Sequence, residues 1–197
     1  MKNIDSMKAI FGILVVTLLV SCGGKKINGQ KNVREIIVER ELPFPVETVW
    51  NTIFMDFGDA HKFSPNTVSS GYLGDVNSAV VGAERFMKDV DGGIIHERIV
   101  EMDIAQKKMR FKIFETEGVP IDTSATFGTS SLTPLGPNKT LFKIKFQYRT
   151  SPKILAVFAN GGIKKNLENM TIGIEHYLTT NQAVTEENFD EIAKLYD

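Results

Sequence analysis

The stretch Ile163–Leu178, IKKNLENMTIGIEHYL, constrains the fold of this chain more than any other. Its apolar residues Ile163, Leu167, Met170, Ile174 and Leu178, with Thr171 beside them, return at three- and four-residue steps. Lys164, Lys165, Asn166, Glu168, Asn169, Glu175 and His176 take the other side, so the segment reads as an amphipathic helix. Such a helix must lay its apolar face on another layer. Nearly everything between Val33 and Arg149 reads as short alternating strands and turns, so that layer is a sheet. The expected fold is α+β: a curved antiparallel sheet of about six to seven strands, counted as alternating runs between turn signals, wrapped around the long C-terminal helix.

The 197 residues fit one domain with an appendage. A formal charge of −1, with basic residues scattered along the chain, makes no single-sign field, which argues against nucleic acid as a partner. The single cysteine, Cys22, rules out an intramolecular disulfide and any cysteine-built metal cage.

Val33–Leu42 alternates as a first strand and is stopped by Pro43-Phe44-Pro45. Pro45 suits the first turn of a helix whose stripe is Val46, Val49, Trp50, Ile53, Phe54 and Phe57, closed by Gly58, with a short helical turn over Asp59–Phe63. Strands follow at Ser69–Val76, Ala83–Asp89, Ile94–Met102, Lys108–Glu115, Thr123–Leu132 and Thr140–Thr150. Their turns fall at Asp91-Gly92-Gly93, Ala105–Lys107, Glu117–Pro120 and Pro134–Asn138. In Leu141–Arg149 the residues Phe142, Ile144, Phe146 and Tyr148 share the buried face, and Lys143, Lys145, Gln147 and Arg149 the wet one. Pro152–Ala159 reads as the start of a helix through Ile154, Leu155 and Phe158, with Asn160-Gly161-Gly162 expected to break or kink it before the main helix. Thr185 is a candidate cap for a last helix, Glu186–Leu195, with Phe189, Ile192 and Ala193 inward.

Residues 1–22 carry Lys2 and Lys8, the apolar run Ala9–Val20, and then Ser21-Cys22, the layout of a secretory signal. Leu19-Val20-Ser21-Cys22 resembles the lipobox of bacterial lipoproteins, in which the cysteine is lipidated and becomes the first mature residue. The alternatives are an uncleaved anchor or an ordinary signal with an incidental cysteine. Gly23–Asn32 reads as a flexible tether, leaving 33–197 as the domain. The resemblance implies a protein of the cell envelope held to a membrane by acyl chains, and the absence of an acidic cluster after Cys22 is taken to favour the periplasmic face.

Glu39-Arg40 before Pro43-Phe44-Pro45-Val46-Glu47-Thr48-Val49-Trp50 resembles the opening of the START/Bet v 1-like (SRPBCC) superfamily. Gly93-Ile94-Ile95-His96-Glu97-Arg98-Ile99, followed by Glu101-Met102-Asp103, is similar to that superfamily's central strand and turn, most of all in its polyketide cyclase/dehydrase-type branch. The resemblance runs from about Val33 to Leu178 and implies the helix-grip fold, with an interior cavity for a small hydrophobic or lipid-like ligand and no cofactor. On it, the cavity wall takes Ile95, Glu97 and Ile99 from one strand, Phe111 and Ile113 from the next, then Thr126, Phe146 and Tyr148. Leu167, Met170, Thr171 and Ile174 complete it from the helix.

Catalytic constellations are sparse. His61, His96 and His176 are far apart and none has a metal-ligand spacing, so no metal site is expected. Gly128-Thr129-Ser130-Ser131 lacks the second glycine of a nucleophile elbow, and Asn138-Lys139-Thr140 is a glycosylation sequon that the bacterial-type lipobox argues against using. On Ile94–Met102 one face carries Ile95, Glu97, Ile99 and Glu101 and the other His96, Arg98, Val100 and Met102, so a charged group goes inward either way. A buried carboxylate must be paired, hydrogen-bonded or protonated. Glu97 is thus a ligand anchor, an acid/base group, or half of an ion pair with Arg85; Arg85, Thr126 and Tyr148 are the other candidate polar anchors. Trp50, Phe54 and Phe57 read as helix-to-sheet packing before a ligand cage. Three functions stay open: a membrane-anchored binding protein, a cyclase or hydratase using Glu97, and an interaction protein with a filled core.

Overall fold

The computed structural model describes residues 29–196; the signal segment, Cys22 and most of the tether lie outside the described residues. Seven strands form one antiparallel sheet: β1 (Arg34–Leu42), β2 (Thr67–Leu73), β3 (Glu84–Asp89), β4 (Ile94–Asp103), β5 (Lys108–Glu117), β6 (Phe127–Gly136) and β7 (Lys139–Tyr148). Their spatial order is β1-β7-β6-β5-β4-β3-β2, so five successive hairpins carry the chain from one edge to the other. Only the passage from β1 to β2 crosses the whole sheet, and it is helical. The long helix α2 (Ala156–Thr180) lies in the grip of the sheet, with Ile174 fully buried, as the periodicity of its apolar residues requires. This is the expected helix-grip fold.

Alternation sets the sheet's two faces. On β7 Phe142, Ile144, Phe146 and Tyr148 are all buried, while on the outer side Lys143 pairs with Glu39 of β1 at 2.7 Å. Gln147 is not wet: it is buried and its Nε2 donates to Glu35 at 2.7 Å, because β1 closes over it. On β4 the two-residue period fails after Ile99. Ile99 pairs with Phe111 but Glu101 with Arg110, so Val100 is an extra residue in the ladder. The bulge sends Glu101 to solvent and turns Met102 toward the core, opposite to an unbroken alternation.

The crossover differs from a single helix. α1 (Val46–Val49) gives way to a wide π turn at Trp50–Phe54, marked by the Met55 N–H reaching the Trp50 carbonyl, and then to a 3₁₀ helix at Phe57–Lys62. Gly58 therefore lies inside a helical turn and does not close one; a Cβ there would come within 2.7 Å of the Tyr72 ring. The tighter and wider turns still bury Val49, Trp50, Ile53, Phe54 and Phe57 together, with Trp50 stacked on Phe54 at 4.7 Å. That packing is what the stripe implied.

Other boundaries move for local reasons. Thr123–Ala125 is a 3₁₀ turn and not strand, since the Asp122 carboxylate accepts from the Ser124 N–H and caps it. β6 runs on through Pro134 to Gly136; β5 accompanies it only as far as Ser131, so a missing N–H costs little there. α2 begins at Ala156 and passes through Gly161-Gly162 without a break. Neither glycine has anything within 4 Å of a Cβ position, so both are solvated helix residues of low propensity and not packing faults. Ile154 and Phe158 are both exposed. Asn181 in the left-handed region ends α2. Thr185 caps α3 (Glu186–Ala193), which turns Ile192 inward, with Phe189 and Ala193 half-buried.

α3 alters the polar side of α2. The C-terminal end folds back, so His176 is buried with its Nδ1 3.1 Å from the Tyr196 hydroxyl, and Arg40 Nε of β1 donates to Glu175 at 2.6 Å. On its other flank Gly173 lies so close to the Phe63 carbonyl that a Cβ would stand 2.2 Å from the oxygen. The second half of α2 is thus enclosed on several sides, while its first half, around Lys164 and Lys165, remains open.

Candidate functional site

Between the sheet and α2 lies a cavity of about 60 Å³. The crossover supplies Ile53, Phe54, Phe57 and Phe63; the strands supply Arg85, Met109, Phe111, Ser130, Phe142 and Ile144; the helix supplies Met170 and Ile174. One position shapes the space. Gly128 pairs with Phe111 across β5 and β6, and a Cβ on Gly128 would stand 2.0 Å from the Phe111 ring. The ring therefore lies over its neighbour strand and leaves the space beside Ser130 open.

The polar content of this wall is small. Arg85 Nε and Nη2 donate to Glu97 Oε2 at 2.8 and 2.6 Å, and Nη1 donates to the Phe57 carbonyl at 2.7 Å. The guanidinium also lies 4.0 Å from the centre of the Phe57 ring. Both charged groups are almost fully covered, at 12% and 4% side-chain exposure, and each makes the other tolerable there. A guanidinium has five N–H donors, of which three are engaged, leaving two. The Ser130 hydroxyl is the second polar group on the wall.

Of the residues expected at the cavity, Phe111, Met170 and Ile174 stand on its wall. Glu97 is buried behind Arg85, joined to it as the ion pair that was one of its three readings. Ile99 and Ile113 are sealed in the core, while Ile95 and Leu167 are half-buried against it. Thr126 and Thr171 are buried with their hydroxyls turned to backbone carbonyls, of Asp122 at 2.8 Å and Glu168 at 2.7 Å. Phe146 stacks on Tyr148 at 5.8 Å, and the Tyr148 hydroxyl donates to Asn160 Oδ1 at 3.2 Å. Burial pushes that phenol above its ordinary range.

Ser130 was missed, although it shares the inward phase of Thr126 and Gly128 and two-residue counting along β6 finds it. Phe54 and Phe57 do both jobs, packing the crossover and facing the cavity. The histidines are scattered: His61 with Ser70 at 2.9 Å, His96 with Glu115 at 2.9 Å, His176 with Tyr196. Among the described residues no three His, Cys, Asp or Glu side chains converge as a metal site would need. Thr140 of the sequon is buried, its hydroxyl donating to the Phe44 carbonyl at 2.7 Å.

Known proteins of this shape are numerous. The crystal structure of Ara h 8.0201 gives a TM-score of 0.62 at 16% identity, over 75% of this chain and 99% of that one. Norcoclaurine synthase from Thalictrum flavum, solved with dopamine and hydroxybenzaldehyde, gives 0.57 at 14%, over 77% and 89%. A protein from Nitrosospira multiformis gives 0.58 at 16%, over 75% and 98%. At these identities the likeness is one of fold. Among curated proteins none matches at a significant level. The family model described as polyketide cyclase / dehydrase and lipid transport matches residues 34–173, from the first residue of β1 well into α2, and the chain belongs to that family, within the Bet v 1-like SRPBCC superfamily.

Proposed function

We propose that this protein binds a small, largely apolar molecule between the sheet and α2, and is held to a bacterial membrane by acylation at Cys22, facing the periplasm. The observation that carries the binding reading is the cavity itself, apolar except for the Arg85 guanidinium and the Ser130 hydroxyl. Glu97 cancels the charge of Arg85, so the two remaining N–H groups suit a carbonyl or hydroxyl oxygen better than an anion. The ligand is thus an apolar body with a neutral acceptor. Since drug-sized ligands fill roughly 300 Å³ or more, a larger one must move the flexible Met109 and Met170 side chains, or α2 itself.

The alternative is an enzyme of cyclase or hydratase type with Glu97 as acid or base. Glu97 is close enough to the cavity to act only through Arg85, whose fork occupies its Oε2. The geometry therefore favours Glu97 as the residue that orients Arg85.

The test is native mass spectrometry of the purified protein together with a Ser130→Phe variant, which fills the cavity. A co-purified molecule, lost in the variant, supports binding. A variant that is more stable, with neither chain carrying a molecule, supports the filled-core reading and ends this one.

A further inference from the structure

Ile154, Val157 and Phe158 stand at steps of three and four along Lys153–Leu155 and the first turn of α2, and all three face solvent, at 66, 61 and 78% exposure. Single exposed apolar residues need no account, but a cluster including a phenylalanine does. The surface continues over Gly161 and Gly162, which project no side chain, to Lys164 and Lys165; with Lys153 these make an exposed basic rim. From Ser151 to Asn166 there are three lysines and no acidic residue, in a chain whose overall charge is −1; just beyond, Glu168 lies 3.3 Å from Lys164 and offsets part of that charge. Apolar centre and basic surround match the layered chemistry of a bilayer with anionic lipids.

The chain also enters the domain at this end. Arg34, the first residue of β1, pairs with Tyr148, the last of β7, six positions before Ile154. The adjoining N-terminal residues are tied down there: Gln30 Nε2 donates to the Ser124 carbonyl at 3.2 Å, and Arg149 Nη1 to the Lys31 carbonyl at 3.5 Å. Seven residues lie between Cys22 and Gln30, and the eight steps from one to the other reach about 29 Å at full extension. An acyl group at Cys22 would keep this end of the sheet within that distance of the membrane.

We propose that the Ile154, Val157 and Phe158 face, with Lys153, Lys164 and Lys165 around it, seats in the headgroup layer of the anionic bilayer that carries the anchor. The proposal rests on the lipid attachment proposed above and adds an orientation to it. It adds a second membrane contact beside the acyl chains. It also places the start of α2, the helix whose Met170 and Ile174 wall the cavity, in contact with lipid.

The full chain, with Phe158→Cys as its free thiol, is nitroxide-labelled and reconstituted in vesicles of phosphatidylethanolamine and phosphatidylglycerol. Acylation of Cys22 is read from the mass of the N-terminal peptide. Paramagnetic resonance then reports whether the label meets dissolved oxygen, as in lipid, or a water-soluble nickel chelate. The expected result is a lipid-exposed label at 158 and a water-exposed one at a Val68→Cys control on the far edge strand β2. Lys164→Glu with Lys165→Glu should return the 158 label to water, each lysine being worth about fivefold in membrane contact. An acylated chain whose 158 label stays in water overturns the docking face and leaves the anchor. If no acyl group is present, the label is read in a Cys22→Ser background: lipid exposure there keeps the face and ends the anchor, and water exposure ends both. A 158 label shielded from both reagents and broadened by a second spin marks contact between two copies, which also overturns the proposal.

Discussion

Arg85 and Glu97 face each other across β3 and β4, and two N–H groups of the guanidinium close on one carboxylate oxygen, at 2.8 and 2.6 Å. The pair stands at the junction of crossover, sheet and cavity, since the same arginine also holds the Phe57 carbonyl. It fixes the one charged group on the cavity wall in a set position.

Removing one partner should therefore cost more than removing both. Glu97→Leu leaves the guanidinium buried without its counter-charge and should lower stability by about 3–5 kcal/mol. Glu97→Gln keeps an acceptor and should cost less. The double variant Arg85→Met, Glu97→Leu should recover much of the loss, because an apolar pair of similar volume needs no compensation. Urea unfolding of the three variants checks this. A Glu97→Leu protein as stable as the parent would mean that the pair is solvated.

Gly128→Ala should be disproportionately disruptive for a one-carbon change. Its Cβ would lie 2.0 Å from the Phe111 ring, so the ring must swing into the cavity or the two strands must part. Overpacking of this kind costs about 1–3 kcal/mol. Calorimetry should show the lowered melting temperature, and a second change, Phe111→Leu, should relieve most of it. If Gly128→Ala alone melts with the parent, Phe111 does not define the cavity.

A part of this site was legible in the sequence, and the failures have a common cause. Alternation on β7 identified its buried face because the ladder there is unbroken, whereas the extra residue Val100 in β4 reversed the phase of Glu101 and Met102. The ion pair of Glu97 could be named as one of several roles, since a charge on an inward face demands a partner, but only the register chooses Arg85. Periodicity says that a face needs covering and not what covers it. Hence a helix could be read through Ile154 and Phe158 without showing that no part of the described chain lies over them, and His176 was read as wet when α3 and Tyr196 bury it.

Ile174→Asp and Glu175→Ala, adjacent on α2, should separate cleanly. Ile174 is fully buried under the sheet, so a carboxylate there costs several kcal/mol and should unfold much of the population. Glu175 looks dispensable from its position on the helix, yet it accepts from Arg40 at 2.6 Å and ties α2 to β1. Its loss should cost about 1.5–3 kcal/mol, the range for hydrogen bonds to charged groups. Thermal melts decide it; equal melting temperatures for the two variants would put the helix in the wrong phase.

Stability should fall at both ends of the pH scale, each for a nameable group. Asp122 is held below its ordinary value of 3.8 by hydrogen bonds from Ser124 and then Arg149. A depressed carboxylate contributes stability that is present above its unfolded value and lost as pH falls through the folded one, so its share disappears in acid. Tyr148 and Tyr72 are both raised above 10.0, chiefly by burial. For these the protonated form is the one the fold prefers, so the contribution is complete below the unfolded value and is lost as pH climbs through the folded value. The two phenols differ in one respect: Tyr148 donates to Asn160, whereas the Tyr72 hydroxyl is buried and, among the described residues, meets only the Gly58 backbone, without good hydrogen-bond geometry. Tyr148→Phe should therefore lose about 1 kcal/mol at neutral pH, and Tyr72→Phe should lose little or nothing, because it removes a poorly satisfied buried group. Both should flatten the alkaline limb of a denaturation profile and leave the acid limb unchanged, while Asp122→Ala should do the reverse. An alkaline limb unaltered in the Tyr72→Phe, Tyr148→Phe double variant would assign that transition to other groups.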